Sequence, residues 1–199
     1  MSRSDGGPCA PRNLWLVPRQ VHLFERPVRF VAGTVGQPGD RTFYLQASDE
    51  AGRTVSVALE KTQVQVLADR MNELLDEISS RAETVIPPDA DVDDLEPLAA
   101  PVDEEFRVAA MGLAWDGAAE AVVVEAVAAG EEPIDEEAIL SDSDEGPDAL
   151  RVTITPMAAR AFIARARRVI AAGRPACPLC SLPLDPVGHV CPRQNGYRR

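Results

Sequence analysis

The spacing of apolar positions divides the chain into two kinds of segment. From Arg19 to Leu59 the pattern alternates. Arg19–Phe24 (RQVHLF), Val28–Val35, Arg41–Ala47 and Arg53–Leu59 each place side chains on two faces in turn. Gly36-Gln37-Pro38-Gly39-Asp40 and Ser48–Gly52 separate the later runs. Period-two runs bounded by Gly, Pro and Asp predict strands joined by turns. From Thr62 the period changes. Val64, Leu67, Met71, Leu74, Leu75 and Ile78 follow the three-and-four spacing of one helix face. Thr62 and Gln65 fit a capping box at its start. The helix should run to about Ala82 and stop before Pro87-Pro88.

Beyond a Pro- and Asp-rich loop over 87–102, two apolar runs, Glu105–Trp115 and Ala119–Ala128, meet at Asp116-Gly117, a hairpin signal. Leu150–Thr155 is a last short strand. Thr155-Pro156 then supplies an N-cap and a first helical residue, and Gly173 ends the helix. On a helical wheel Ala159, Phe162, Ile163, Ala166, Val169 and Ile170 share one side. Arg160, Arg165, Arg167 and Arg168 fall opposite and should form an exposed basic face. The order ββββ-α-βββ-α predicts an α+β fold, an antiparallel sheet with helices on one side.

Charge sharpens the divisions. The 199 residues carry a net −12, unevenly spread. Residues 1–88 are nearly neutral at −1. Residues 89–149 hold 20 acids against Arg107 alone, for −19. Residues 150–199 hold nine arginines against Asp185, for +8. The expected organisation is a disordered extension at 1–17, an α+β domain over 18–173 with an acidic mobile insertion near 130–148, and a tail at 174–199. Of the 20 bases only Lys61 is not arginine. With the many Ala, Gly and Pro residues this suggests a high-GC genome, so a choice of Arg over Lys carries little chemical weight. No apolar run approaches the roughly 18 residues of a membrane span, and the N-terminus has no secretory h-region, so a cytoplasmic protein without membrane contact is expected.

One constellation carries chemistry. Cys177, Cys180, His189 and Cys191 are spaced C-x2-C-x8-H-x-C. Zinc takes four soft or borderline donors in a tetrahedron. A C-P-x-C turn sets two thiolates on one side of a knuckle, and residues two apart in an extended H-x-C project together. The tail has little apolar mass, so metal binding can supply its ordering energy. A complete set of four ligands leaves no open position, which favours a structural zinc in a ribbon-like tail over a catalytic one. A redox CxxC would sit where a strand enters a helix, whereas this one follows a helix end. A disulfide fits a reducing compartment poorly. His189 is the weakest member. It can also be read as a group outside the ligand set, with a donor from elsewhere completing three cysteines. Cys9 is not needed.

Other features read as structure. Gly33-Thr34-Val35-Gly36-Gln37-Pro38-Gly39 is followed by a strand, so a hairpin turn fits better than a phosphate cradle, which opens a helix. His22 alternates on a strand with no visible catalytic partner. Residues 142–148 lack the spacing of an EF-hand loop. The acids of 89–149 are too many for any pair to be singled out as acid and base.

PRQVHLFE at 18–25, RFVAGTVGQPGDRTFYLQA at 29–47, VALEK at 57–61 and CPLCSLPLDPVGHVCPRQNGYRR at 177–199 resemble an uncharacterised family of high-GC Gram-positive bacteria, a domain of unknown function. The resemblance covers nearly everything from Pro18 on. It implies the same fold and a metal-type motif at Cys177, Cys180, His189 and Cys191, and no activity. Similar proteins begin just before the PRQVH motif, so the native start is expected near Val17, a residue whose GTG codon can also initiate.

The function expected is that of a non-catalytic binding or adaptor protein with a structural Cys3His zinc site and an unidentified protein partner. One alternative is a nucleic-acid-binding regulator using Arg160, Arg165, Arg167 and Arg168 with Arg193, Tyr197, Arg198 and Arg199 of the tail. Another is an enzyme with a pocket near Gly33–Arg41.

Overall fold

A computed structural model of the chain describes residues 19–81, 94–130, 139–140, 146–173, 177–180, 184 and 191–193. The order is β1 (Val21–Glu25), β2 (Arg29–Gln37), β3 (Asp40–Ser48), β4 (Thr54–Leu59), α1 (Lys61–Arg81), β5 (Glu104–Asp116), β6 (Ala121–Ala128), β7 (Ala149–Ile154) and α2 (Pro156–Ala171). The protein is α+β, as the sequence pattern predicts. The expected extension at 1–17, most of the acidic insertion and much of the tail lie outside the described residues.

The strands form one sheet in the order β1-β7-β6-β5-β4-β3-β2. It is mixed, which corrects the expectation of a purely antiparallel sheet. β1 pairs with β7 in parallel, Val21 opposite Ala149 and Glu25 opposite Thr153. β4 pairs with β5 in parallel through Ser56–Glu104 and Ala58–Arg107. The remaining pairs are antiparallel. The physical reason lies in the connections. The link from β4 to β5 runs through a helix of 21 residues, long enough to carry the chain back and re-enter in the same direction. Alternation fixes which face a residue occupies and says nothing about strand direction.

Cross-strand rows build the core. Phe43 faces Leu59, Leu45 faces Val57, and Ala47 lies between Phe30 and Val55. On the other half Val122 faces Ile154, Val124 faces Val152, and Phe24 extends that row from β1. Both helices cover this face. α1 supplies Val64, Leu67, Ala68, Met71 and Leu75, and α2 supplies Ala159, Phe162, Ile163 and Ala166, all in one apolar cluster. Phe162 stacks on Phe30 with ring centroids 4.8 Å apart and planes 10° from parallel. The sheet bends enough for the β3–β4 turn to reach β1. Arg53 lies 4.0 Å above the Phe24 ring and donates to the Leu23 carbonyl.

The helix starts test two local expectations. Thr155 caps α2 and its hydroxyl accepts from Ala158 N–H at 3.2 Å, with Pro156 next. α1 begins earlier than Thr62. The Gln63 side chain reaches back to the Glu60 N–H at 2.8 Å, and the Glu60 carbonyl accepts from Gln63 and Val64. Half of a capping box therefore forms, two residues upstream of the one read from the sequence.

The opposite face of the sheet is also covered. Leu98 lies over Gly33 so closely that a Cβ there would sit 2.6 Å from its side chain. Gln46 exchanges hydrogen bonds with the backbone of Ala99, 2.7 and 3.0 Å. Ile139 and Leu140 lie over Gly112 in the same way. Glu125, fully buried, accepts from Arg19 at 2.7 Å and Arg151 at 2.6 Å. A charge without water is tolerable here because both carboxylate oxygens are paired.

Candidate functional site

The tail brings three of the four predicted ligands together. α2 ends at Ala171, and Pro178–Cys180 form a turn a few residues on. The thiol sulfurs of Cys177, Cys180 and Cys191 all lie within 4.8 Å of one another. Cys177 and Cys191 are 5% and 3% exposed, and their sulfurs are 3.9 Å apart. A disulfide would need about 2.05 Å. Two sulfurs sharing a tetrahedral ion at a metal–sulfur distance of about 2.3 Å stand roughly 3.8 Å apart. Three thiols gathered this closely from two segments could hold a metal ion. His189 lies outside the described residues, as does Cys9. Beside the cluster Leu179 is 48% exposed.

The arginines of α2 depart from the expected basic face. Arg160 and Arg165 are 7% and 5% exposed. Arg160 donates to Asn72 at 2.7 Å and Asp76 at 2.6 Å, both on α1. Arg165 donates to the carbonyls of Ala32, Asp94 and Glu96 and to the Asp94 carboxylate at 2.7 Å. Arg168 reaches the Asp94 carbonyl at 2.6 Å. Arg167 remains half exposed, 3.6 Å from Asp69. The wheel separates apolar from polar residues, but α2 is enclosed by α1 on one flank and by residues 94–98 on another. Arginines that meet acids and carbonyls there can be buried.

Asp94 is the hub of this contact. Arg29 grips it with two bonds, 2.7 and 2.9 Å. The hydrogen bond from Arg29 holds its carboxyl below the ordinary 3.8, helped by the charges of Arg165 and Arg29 against the opposing effect of burial. Burial pushes the Arg165 guanidinium down, and the Asp94 charge opposes that.

The Gly-rich segment is the end of β2 and the β2–β3 turn, as expected. Gln37 pairs with Asp40 across Pro38-Gly39, and Gly39 has φ +102°, the Pro-Gly pattern of a type II turn. His22 is 7% exposed, with Nε2 at 3.5 Å from Glu105. Past the turn, beside the Gly33–Arg41 stretch where one sequence reading set a pocket, lies a cleft that also takes in Lys61 and the end of α2, which that reading did not name. Arg41 and Lys61 line a cleft of about 660 Å³ with Phe43 and Ile170. Its one sequence signal is that Lys61 stands alone among arginines.

An α+β domain with two helices on one face of a mixed seven-stranded sheet, carrying a triple-cysteine cluster, is the class these observations define. The chain belongs to a family described as proteins of unknown function (DUF3090), whose model matches residues 22–191. No curated protein and no solved structure matches it. No described helix is long and apolar enough to cross a membrane.

Proposed function

We propose that the chain is a non-catalytic cytoplasmic binding or adaptor protein whose tail is ordered by one structural zinc ion. Cys177, Cys180 and Cys191 would supply thiolates and His189 the fourth donor. The observation that carries this reading is the convergence of three cysteine sulfurs within 4.8 Å, two of them on buried residues. Thiolates are soft ligands that favour zinc over calcium or magnesium. A complete set of four protein donors holds the ion without an open coordination position, which suits a structural role. The adaptor part of the reading draws support from Leu179, which offers an apolar side chain to solvent from within the C-P-L-C turn.

Elemental analysis of the purified full chain tests the metal. About one zinc per chain is expected, lost with Cys177→Ser and weakened more than tenfold by His189→Ala. A metal-free protein with an ordered C-terminus would refute the site. Unchanged affinity in His189→Ala would remove that residue from the ligand set. Affinity capture from the native cytosol, with nuclease-treated and untreated arms, tests the adaptor reading. A protein partner that survives nuclease and is lost with Leu179→Asp, zinc still bound, supports it. Material released by nuclease would instead identify a nucleic acid.

A further inference from the structure

The chain has 32 acids for 20 bases, so a base without a carboxylate neighbour stands out. Among the described residues, ten arginines make ion pairs with Asp or Glu. Arg41 and Lys61 have no described carboxylate partner, and they line the same cleft. They come from different elements, Arg41 from β3 and Lys61 from the first position of α1. They converge at Gly173. A Cβ built there would lie 3.7 Å from an Arg41 terminal nitrogen and 3.7 Å from Lys61 Nζ.

Helix capping accounts for part of this. Arg41 donates to the carbonyls of Ala172 at 3.1 Å and Val169 at 3.2 Å, at the end of α2. A helix C-terminus carries roughly half a negative charge. Two full positive charges exceed that by about one and a half. Arg41 keeps donors beyond the two bonds described, and Lys61 has three with no described acceptor. Among the described residues the lining contains no acid, and the cleft volume of about 660 Å³ lies within the usual range for small-molecule sites. Arg41 lies 4.9 Å above the ring of Phe43, so cation and apolar wall are adjacent.

We propose that this cleft binds a small organic phosphomonoester. A phosphomonoester carries close to two negative charges at neutral pH and presents three acceptor oxygens. That head group matches a guanidinium fork and an ammonium approaching from separate elements. Ile170 then faces the organic portion, beside the small part of Phe43 that reaches the cleft.

Titration calorimetry of the full purified chain with phenyl phosphate tests this, with phenyl sulfate as a monoanionic arm of similar shape. Saturable binding of one phenyl phosphate per chain is expected, at least tenfold tighter than phenyl sulfate. Lys61 is solvent-exposed, so Lys61→Gln should fold and should weaken binding at least tenfold. Lys61→Arg should restore most of it. Arg70→Gln, an exposed cation elsewhere on α1, should bind like the parent. The absence of saturable binding, or a Lys61→Gln protein that binds as tightly as the parent, would overturn the proposal.

Discussion

Replacing Asp94 with Asn should weaken the fold by about 2–3 kcal/mol. The carboxylate accepts two bonds from Arg29, one from Arg165 and one from the Glu96 N–H at 3.0 Å. Removing one partner of a fully buried pair costs about 3–5 kcal/mol, because the other charge stays behind without water. The side chain of Arg165 is 6% exposed and those of Arg29 and Asp94 are 20% and 23%. Solvent therefore screens part of the interaction and lowers the expected cost. Asn keeps the shape and one acceptor oxygen, but its amide hydrogens would point at a guanidinium. Urea denaturation of parent and variant, followed by circular dichroism, measures the difference. pH supplies a second, independent check. The carboxyl of Asp94 is held below its ordinary 3.8 in the folded protein. Its stabilisation is therefore complete above the unfolded-chain value and is lost as pH falls through the folded one. The gap between parent and variant should hold from pH 7 to about pH 5 and close in stronger acid. A gap under about 0.5 kcal/mol at pH 7, or one that persists unchanged at pH 2, would refute the assignment of Asp94 as the hub.

Three further outcomes follow from the packing. Phe162→Ala removes a ring that is 1% exposed and stacked on Phe30, and should cost about 3–5 kcal/mol in the same denaturation assay. Gly112→Val places a Cβ 2.4 Å from Ile139 and should cost about 1–3 kcal/mol, with Gly112→Ala at the lower end. Thr155→Ala removes the hydroxyl that accepts from Ala158 and should cost about 1 kcal/mol, with most of that recovered by Thr155→Ser.

The elements were legible because burial and periodicity are linked locally. Phe43, Leu45 and Ala47 alternate into the core, and Val64, Leu67, Met71 and Leu75 share one stripe, so the chain order could be read directly. The convergence of the three cysteines was legible for a similar reason. Cys177 and Cys180 share one turn, and a spacing rule needs only local geometry. Strand direction was not legible, because the partner of β1 is β7, more than 120 residues away. The start of α1 shifted because Glu60 and Gln63 cap it through a carbonyl and an amide, without the hydroxyl that the familiar box requires. The cleft at Arg41 and Lys61 joins residues 20 apart to the end of α2, and no local pattern announces that.

The segregation of charge along the chain acquires a physical meaning from these contacts. A +8 stretch beside a −19 stretch invites the reading of a polyanion site held next to an acidic tract. The ion pairs give a different use for both. Arg151 of the basic stretch reaches Glu125 in the acidic one, and Arg165 reaches Asp94. Arg160 and Arg167 pair instead with Asp76 and Asp69 of α1. Arg151 and Glu125 are cross-strand neighbours on β7 and β6, whereas the arginines of α2 join residues distant in sequence across an interface that the apolar core alone would leave unspecific. Hydrophobic burial drives α2 onto the sheet and its apolar stripe sets the side that faces inward, but a small rotation or a slide of one turn costs that burial little. Arg165, bonded at once to Ala32, Asp94 and Glu96, fits one rotation and one height. Opposite charge in separate stretches is thus a means of fixing how the last helix docks, and that helix in turn sets where the cysteine-bearing tail begins.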